Sequence, residues 1–135
     1  MVGHKDLRFV LVTPEKTLID QQVESLRFPL FDGQMGVLPG RAPLVGRMGY
    51  GELQFHEASG VRSFFVDGGF VQIKSGVVTV LTNRAIPVAE LKRPQAEDQL
   101  RQANTRPAHT DLELAAKARD IQRAQQMVAL AKRSS

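Results

Sequence analysis

Residues 33–45 read Gly33-Gln34-Met35-Gly36-Val37-Leu38-Pro39-Gly40-Arg41-Ala42-Pro43-Leu44-Val45. Gly33, Gly36 and Gly40 can take a positive φ, while Pro39 and Pro43 fix φ and remove two backbone donors. Apolar Met35, Val37, Leu38, Ala42 and Leu44 are spaced between them. Joining two strands does not need this much punctuation. The stretch reads as a rigid loop with a shape of its own, and rigid surface loops carry contacts.

The sequence on both sides of it reads as β. Residues 7–12 are rich in strand formers and end at Thr13-Pro14, a turn signal. Residues 23–30 alternate, with Pro29 marking an edge position or the end of the strand. Beyond the loop, Leu53 and Phe55 alternate with Glu52, Gln54 and His56. Residues 61–67 lead through Gly68-Gly69 into residues 70–74, and Ser75-Gly76 turns the chain into residues 77–81. Turn signals recur about every 8–12 residues, the spacing of an antiparallel sandwich or barrel, here with about ten strands. Phe9, Phe28, Phe55, Phe64, Phe65 and Phe70 fall in these patterns and are expected in the core, whereas Phe31, beside the loop, is expected at the surface.

From Ala89 onward the composition shifts to Ala, Gln, Arg, Lys, Glu and Leu, which favour helix. Pro94 suits the first turn of a helix running to about Ala103. Pro107 interrupts it. Thr110 or Asp111 offers an N-cap, and Glu113 adds negative charge to the next first turn. A second helix is expected from Leu112 to about Arg133, with Lys132 and Arg133 at its C-terminal end. The organisation is therefore α+β in two parts: a β-sandwich over residues 1–88 and an antiparallel two-helix hairpin over residues 89–135. The expected inner stripe of the second helix is Leu114, Ala118, Ile121, Gln125, Val128 and Ala131. Burial stabilises by roughly 25 cal/mol per Å² of apolar area, so alanine contributes little. Such a stripe suits either an element that detaches or a surface hairpin whose small residues allow close approach.

The 135 residues hold no Cys, which excludes disulfides and thiolate metal sites. No apolar run approaches the roughly 18 residues of a membrane span. His4, Lys5, Asp6 and Arg8 interrupt any N-terminal apolar segment, so no signal peptide is expected and the chain reads as soluble and intracellular. The net charge is +4. Residues 1–88 carry nine Lys/Arg against eight acids (+1), and residues 89–135 nine against six (+3). No basic run is interleaved with aromatics, which argues against nucleic acid. GxGxxG, GxxxxGK followed by Ser or Thr, and GxSxG are all absent. His4, His56 and His109 have no metal-ligand spacing. Asp20 with Glu24, or Asp32 with Asp67, could pair as acid and base, but Asp32-Gly33 and Asp67-Gly68 read as turn residues. No catalytic residue, cofactor or metal is expected.

Three stretches together resemble the epsilon subunit of F-type ATP synthase: Val12-Thr13-Pro14-Glu15; the Gly-x-Met-Gly-Val-Leu-Pro-Gly-x-Ala-Pro-Leu pattern of residues 33–44; and Asp67-Gly68-Gly69-Phe70-Val71 with Val77-Val78-Thr79-Val80-Leu81. The resemblance extends over essentially the whole chain. It implies a non-catalytic rotor subunit whose sandwich binds the gamma subunit, rests on the c ring and turns with the central stalk, coupling ion flow to ATP synthesis. It implies that Phe31, Gln34, Met35, Val37, Leu38, Arg41 and Pro43 carry contacts to c ring and gamma. It further implies a hairpin that lies folded or extends along gamma and inhibits ATP hydrolysis, with Lys117, Arg119, Arg123, Lys132 and Arg133 facing acidic surfaces of the alpha and beta subunits. The implied location is peripheral, at the cytoplasmic face of the bacterial plasma membrane or the equivalent face of another energy-transducing membrane. Arg41 stands where the family most often has His, and Gln34 where an acid is frequent. Some family members bind ATP through a motif resembling Ile-or-Leu-Asp-x-x-Arg-Ala. Here the nearest match, Leu112-Glu113-Leu114-Ala115-Ala116-Lys117, lacks both the Asp and the Arg, so no ATP binding is expected. The alternative reading is a free-standing β-sandwich binding module with a helical tail. A third, a hydrolase using Asp32 or Asp67 with His56, comes with no recognisable substrate.

Overall fold

The computed structural model describes residues 7–134, so the expectations placed on His4, Lys5 and Asp6 lie outside the described residues. Contacts divide the chain into two compact units that change over between Ala85 and Ile86.

The first unit contains strands β1 (Leu7–Val12), β2 (Thr17–Val23), β3 (Ser25–Leu30), β4 (Gly33–Val37), β5 (Leu44–Glu57), β6 (Gly60–Lys74) and β7 (Val77–Leu81). They are hydrogen-bonded in the order β2-β1-β7-β6-β5-β3-β4, and a short β8 (Ala85–Pro87) completes the eight strands. All the neighbours among β1–β7 are antiparallel except β1 and β7, whose parallel pairing needs the rest of the sheet as its crossover. The two terminal strands of this order, β2 and β4, bury Ile19, Val23 and Val37 in the same cluster as Phe9, Phe28, Leu53, Phe55 and Val80. A sheet whose two ends share one core must fold over on itself, and this one makes a sandwich. Phe55 lies at its centre, 5.1 Å from the ring of Phe9 and 6.2 Å from that of Phe64.

The bend is made by β5 and β6. In β6 the inward residues are Phe64 and Val66, then Val71 and Ile73. In β5 they are Met48, then Leu53 and Phe55. Both gaps are odd, whereas the pleat has period two. Each strand therefore changes the face it turns inward part-way along, and glycines stand at both places. Gly69 has φ +107°, and a Cβ there would lie 1.9 Å from the Leu81 carbonyl oxygen. A Cβ on Gly49 would lie 2.9 Å from the Leu30 carbonyl oxygen. Hydrogen bonds hold the corner: the Asp67 N–H donates to Thr82 Oγ1 and to the Arg84 carbonyl, both at 3.1 Å, and Asn83 Nδ2 donates to the Asp67 carbonyl at 3.2 Å.

These bends correct four expectations. Among the described residues the strands number eight rather than about ten, because residues 61–67 and 70–74 form one strand that continues through Gly68-Gly69, and its neighbour β5 likewise runs unbroken from Leu44 to Glu57. Phe70, expected in the core, is 57% exposed, because the switch at Gly69 sends Val71 inward and Phe70 outward. Residues 33–37 are a strand paired to β3, not part of a loop; only residues 38–43 connect. Pro29 lies inside β3, between β4 and β5, at the irregularity in the β3–β5 ladder between Arg27 and Leu30, where a missing donor is tolerated.

The second unit contains a short 3-10 turn (Val88–Glu90), α1 (Arg93–Thr105) and α2 (Asp111–Ser134). Thr110 is the N-cap of α2. Its Oγ1 accepts from the Glu113 N–H at 3.1 Å, and Glu113 Oε1 accepts from the Thr110 and His109 N–H groups at 3.0 Å, a reciprocal capping box. The inner stripe differs from the expected one. Leu114 is 52% exposed, Ala118 and Gln125 are exposed, and the buried residues are Ala124, Met127, Val128, Leu130 and Ala131. Gln125 lies one position off the buried Ala124–Val128–Ala131 stripe, whereas for Leu114 the cause is an offset along the helix. Arg106, just after α1, is ion-paired at 2.8 Å to Asp120, which lies about two and a half turns into α2. Residues 106–110 use up the first turns of α2, which consequently have no helix beside them.

Gly69→Ala is expected to destabilise the chain by more than about 2 kcal/mol, through the clash with Leu81 and the positive φ. Urea unfolding measures this, and an unchanged midpoint would show that the corner does not depend on glycine.

Candidate subunit-contact surface

The outward parity imposed at the corner assembles a surface. Arg47, Phe70 and Leu81 stand opposite one another across β5, β6 and β7, and so share the outer face. Val45, two residues before Arg47, joins them at 75% exposure, and Leu81 is 48% exposed. Phe31 borders this row. Its N–H donates to the Arg47 carbonyl at 2.8 Å, and the Arg47 guanidinium lies 4.9 Å from the centre of its ring. Phe31 is 68% exposed and Leu38, in the loop after β4, 67%. Five large apolar side chains are thus exposed along the outer face of β5–β7, the β3–β4 turn and the loop after β4. Apolar surface gathered in this way marks interaction sites.

Of the residues expected to make contacts, Phe31, Gln34, Leu38, Arg41 and Pro43 are exposed and Met35 is half-buried. Val37 is 1% exposed, opposite Leu26 in the core, so it supports the surface from beneath instead of meeting a partner. Val45, Phe70 and Leu81 were missed. Their signal was the odd spacing from Val66 to Val71 across Gly68-Gly69, which reverses the pleat.

Among the described residues, no three His, Cys, Asp or Glu side chains are grouped to hold a metal ion. Asp67 belongs to the corner, with Arg84 at 3.6 Å. The strands do not bring His56 to either acid: it pairs with Ser25 and Val61, six positions along β5 from Tyr50, which faces Asp67, and Asp32 lies at the far end of β3.

On the hairpin, Arg119, Lys132 and Arg133 are exposed and Lys117 is half-buried. Arg123 is engaged within the unit, donating to Asp120 at 2.6 Å. Burial would raise the Asp120 carboxyl, but the hydrogen bonds and charges of Arg106 and Arg123 outweigh it and hold the group below the usual carboxylate range. Glu113 is held low as well, first by the His109 and Thr110 backbone N–H groups.

Residues 6–88 match the family described as ATP synthase, Delta/Epsilon chain, beta-sandwich domain. The chain is 47% identical over 104 residues to an ATP synthase epsilon chain of Rhodopirellula baltica, covering 77% of this chain and 81% of that one. It is 35% identical over 102 residues to an ATP synthase epsilon chain of Granulibacter bethesdensis, covering 75% and 76%. In fold it is similar, at a TM-score of 0.85 and 20% identity, to a chain in the structure of the Euglena gracilis mitochondrial ATP synthase OSCP/F1/c-ring, covering 96% of this chain and 83% of that one.

Two outcomes test this description. Phe70→Gln should change stability by no more than about 0.5 kcal/mol, and Phe55→Ala should cost about 3–5 kcal/mol, both by urea unfolding; a large cost at Phe70 would mean that its face is part of the core. Carboxylates with lowered folded-state pKa values stabilise above their unfolded value, about 4.3 for Glu, and lose that effect as pH falls through the folded value. Amide exchange in the first turn of α2 should therefore accelerate, beyond its intrinsic pH dependence, on acidification below about pH 4, and Glu113→Gln should flatten that response.

Proposed function

The chain belongs to the F-type ATP synthase epsilon family, and we propose that it works as a non-catalytic rotor subunit in the central stalk of the synthase. The observation that carries this reading is the exposed apolar surface of Phe31, Leu38, Val45, Phe70 and Leu81 on the sandwich. Exposed apolar surface gathered in this way marks a site where a partner binds. Gamma is that partner, meeting the outer face of β5–β7. The loop of residues 38–43, with Gln34 beside it, rests on the c ring. Arg41 is its only charge, so this contact depends on fit and stiffness more than on ion pairs. Torque passed through such a contact couples ion translocation to ATP synthesis.

The hairpin supplies regulation. The first turns of α2, ahead of the Arg106–Asp120 pair, expose Leu112 at 84% and Leu114 at 52%. This end of α2 is the part that leaves first and reaches the alpha and beta subunits, where Lys117, Arg119, Arg123, Lys132 and Arg133 meet acidic surface and hydrolysis is inhibited. Among the described residues no helix is long and apolar enough to cross a membrane, which suits a peripheral place on the cytoplasmic face through the complex.

The chain should co-purify with a complete synthase. Deleting residues 89–135 should raise ATP hydrolysis by the reconstituted enzyme several-fold, and Phe70→Asp should weaken gamma binding by about tenfold or more. An unchanged hydrolysis rate would remove the inhibitory role. Failure to bind gamma would remove the rotor reading altogether.

A further inference from the structure

Three arginines of the β unit are matched to carboxylates. Arg8 is paired to Asp20 at 2.8 Å, Arg27 to Glu52 at 3.5 Å and Arg84 to Asp67 at 3.6 Å. Arg47 has no carboxylate partner among the described residues, although Asp32 stands beside Phe31 in the chain. Its guanidinium lies instead over the Phe31 ring, 4.9 Å from the centre. A guanidinium that rests on an aromatic ring keeps its in-plane N–H donors free for a second partner.

The register shows what surrounds this cation. Arg47 stands opposite Phe70, and Phe70 opposite Leu81, so all three share one outward row. Lys74, four residues after Phe70 in β6, points to the same side and is exposed. The acid that β2 turns to this side is Asp20, opposite Val10, and Arg8 already occupies it. The charges left unpaired on the outward face of β5 and β6 are therefore both positive. A partner that covers Phe70 and Leu81 also takes water away from Arg47. Stripping water from an ionised group is strongly unfavourable unless a counter-charge replaces it.

We propose that Arg47, braced on Phe31, receives an Asp or Glu side chain of the gamma subunit, which accepts two parallel hydrogen bonds from the guanidinium and fixes how gamma is seated on the apolar face. This rests on the reading that gamma covers the outer face of β5–β7. The carboxylate belongs to gamma and not to the c ring, because Arg47 shares its row with Phe70 and Leu81, the side chains that gamma covers. The apolar row supplies contact area, and the fork of Arg47 supplies the orientation, which a lysine acting as a point charge would not.

Binding of the full chain to gamma tests this with three substitutions. Arg47 is exposed in the free chain, so Arg47→Gln should leave the thermal midpoint within about 2 °C and weaken gamma binding by about tenfold or more. Arg47→Lys keeps the charge without the fork and should lose about threefold or more. Arg47→Glu sets like charges against each other and should lose about 100-fold. Replacing the Asp and Glu residues of gamma one at a time by Asn and Gln should find one whose loss matches that of Arg47→Gln and adds nothing to it in the double variant. A lysine at that gamma position should restore binding to Arg47→Glu. Unchanged affinity of Arg47→Gln, or no gamma carboxylate coupled to Arg47, overturns the proposal; a complex still weakened by Phe70→Asp then leaves the gamma reading standing. A loss that arises only in the whole synthase, with the c ring present, overturns the assignment to gamma. If Phe70→Asp is without effect as well, the face is not the gamma contact and both readings fall.

Discussion

Two backbones approach so closely at Gly69 that no side chain fits between them, and the rest of the β unit depends on that contact. A Cβ at position 69 would sit 1.9 Å from the Leu81 carbonyl oxygen. Because the position is bare and its φ is positive, β6 can turn its corner and reverse the face it presents to the core. The reversal lets one strand of fifteen residues serve both layers of a sandwich. It also decides what lies outside. Val71 and Ile73 become core, while Phe70, next in the chain, becomes surface. The exposed apolar face and the core are thus two consequences of a single backbone constraint.

The energetics divide along the same line. The β unit is held by aromatic and branched side chains around Phe55, each contributing a few kcal/mol on full burial. The helical unit is held by alanines, a few larger residues and a carboxylate shared between two arginines. Those ion pairs are partly exposed, and pairs of that kind contribute little. That difference suits the regulated rotor role proposed above.

The legible part of the fold was the part written in local chemistry. Turn residues and period-two runs placed most of the strands, and Pro94, Pro107 and the Thr110–Glu113 spacing bounded the helices to within a few residues. Pattern alone misplaced Phe70, which lies where alternation is reset, and the resemblance put Val37 in contact with a partner, where a strand looked like loop. On the inner stripe of α2 the pattern placed Val128 and Ala131 correctly but not Leu114, Ala118 and Gln125. The amphipathic period identifies a face, but the Arg106–Asp120 pair decides which stretch of α2 has a helix beside it. The contact surface was half visible: Phe31 and Leu38 stood out beside the glycine–proline run, whereas Val45 and Leu81 looked like ordinary strand residues.

By itself, the sequence determined the order of elements, the sandwich followed by a hairpin, and the family, because dihedral preferences and hydrophobic period act over a few residues. Only the tertiary structure decided which side of each long strand faces out, which residues form the apolar surface, and how far the helices are offset. These depend on register, and register is fixed by contacts between residues far apart in the chain.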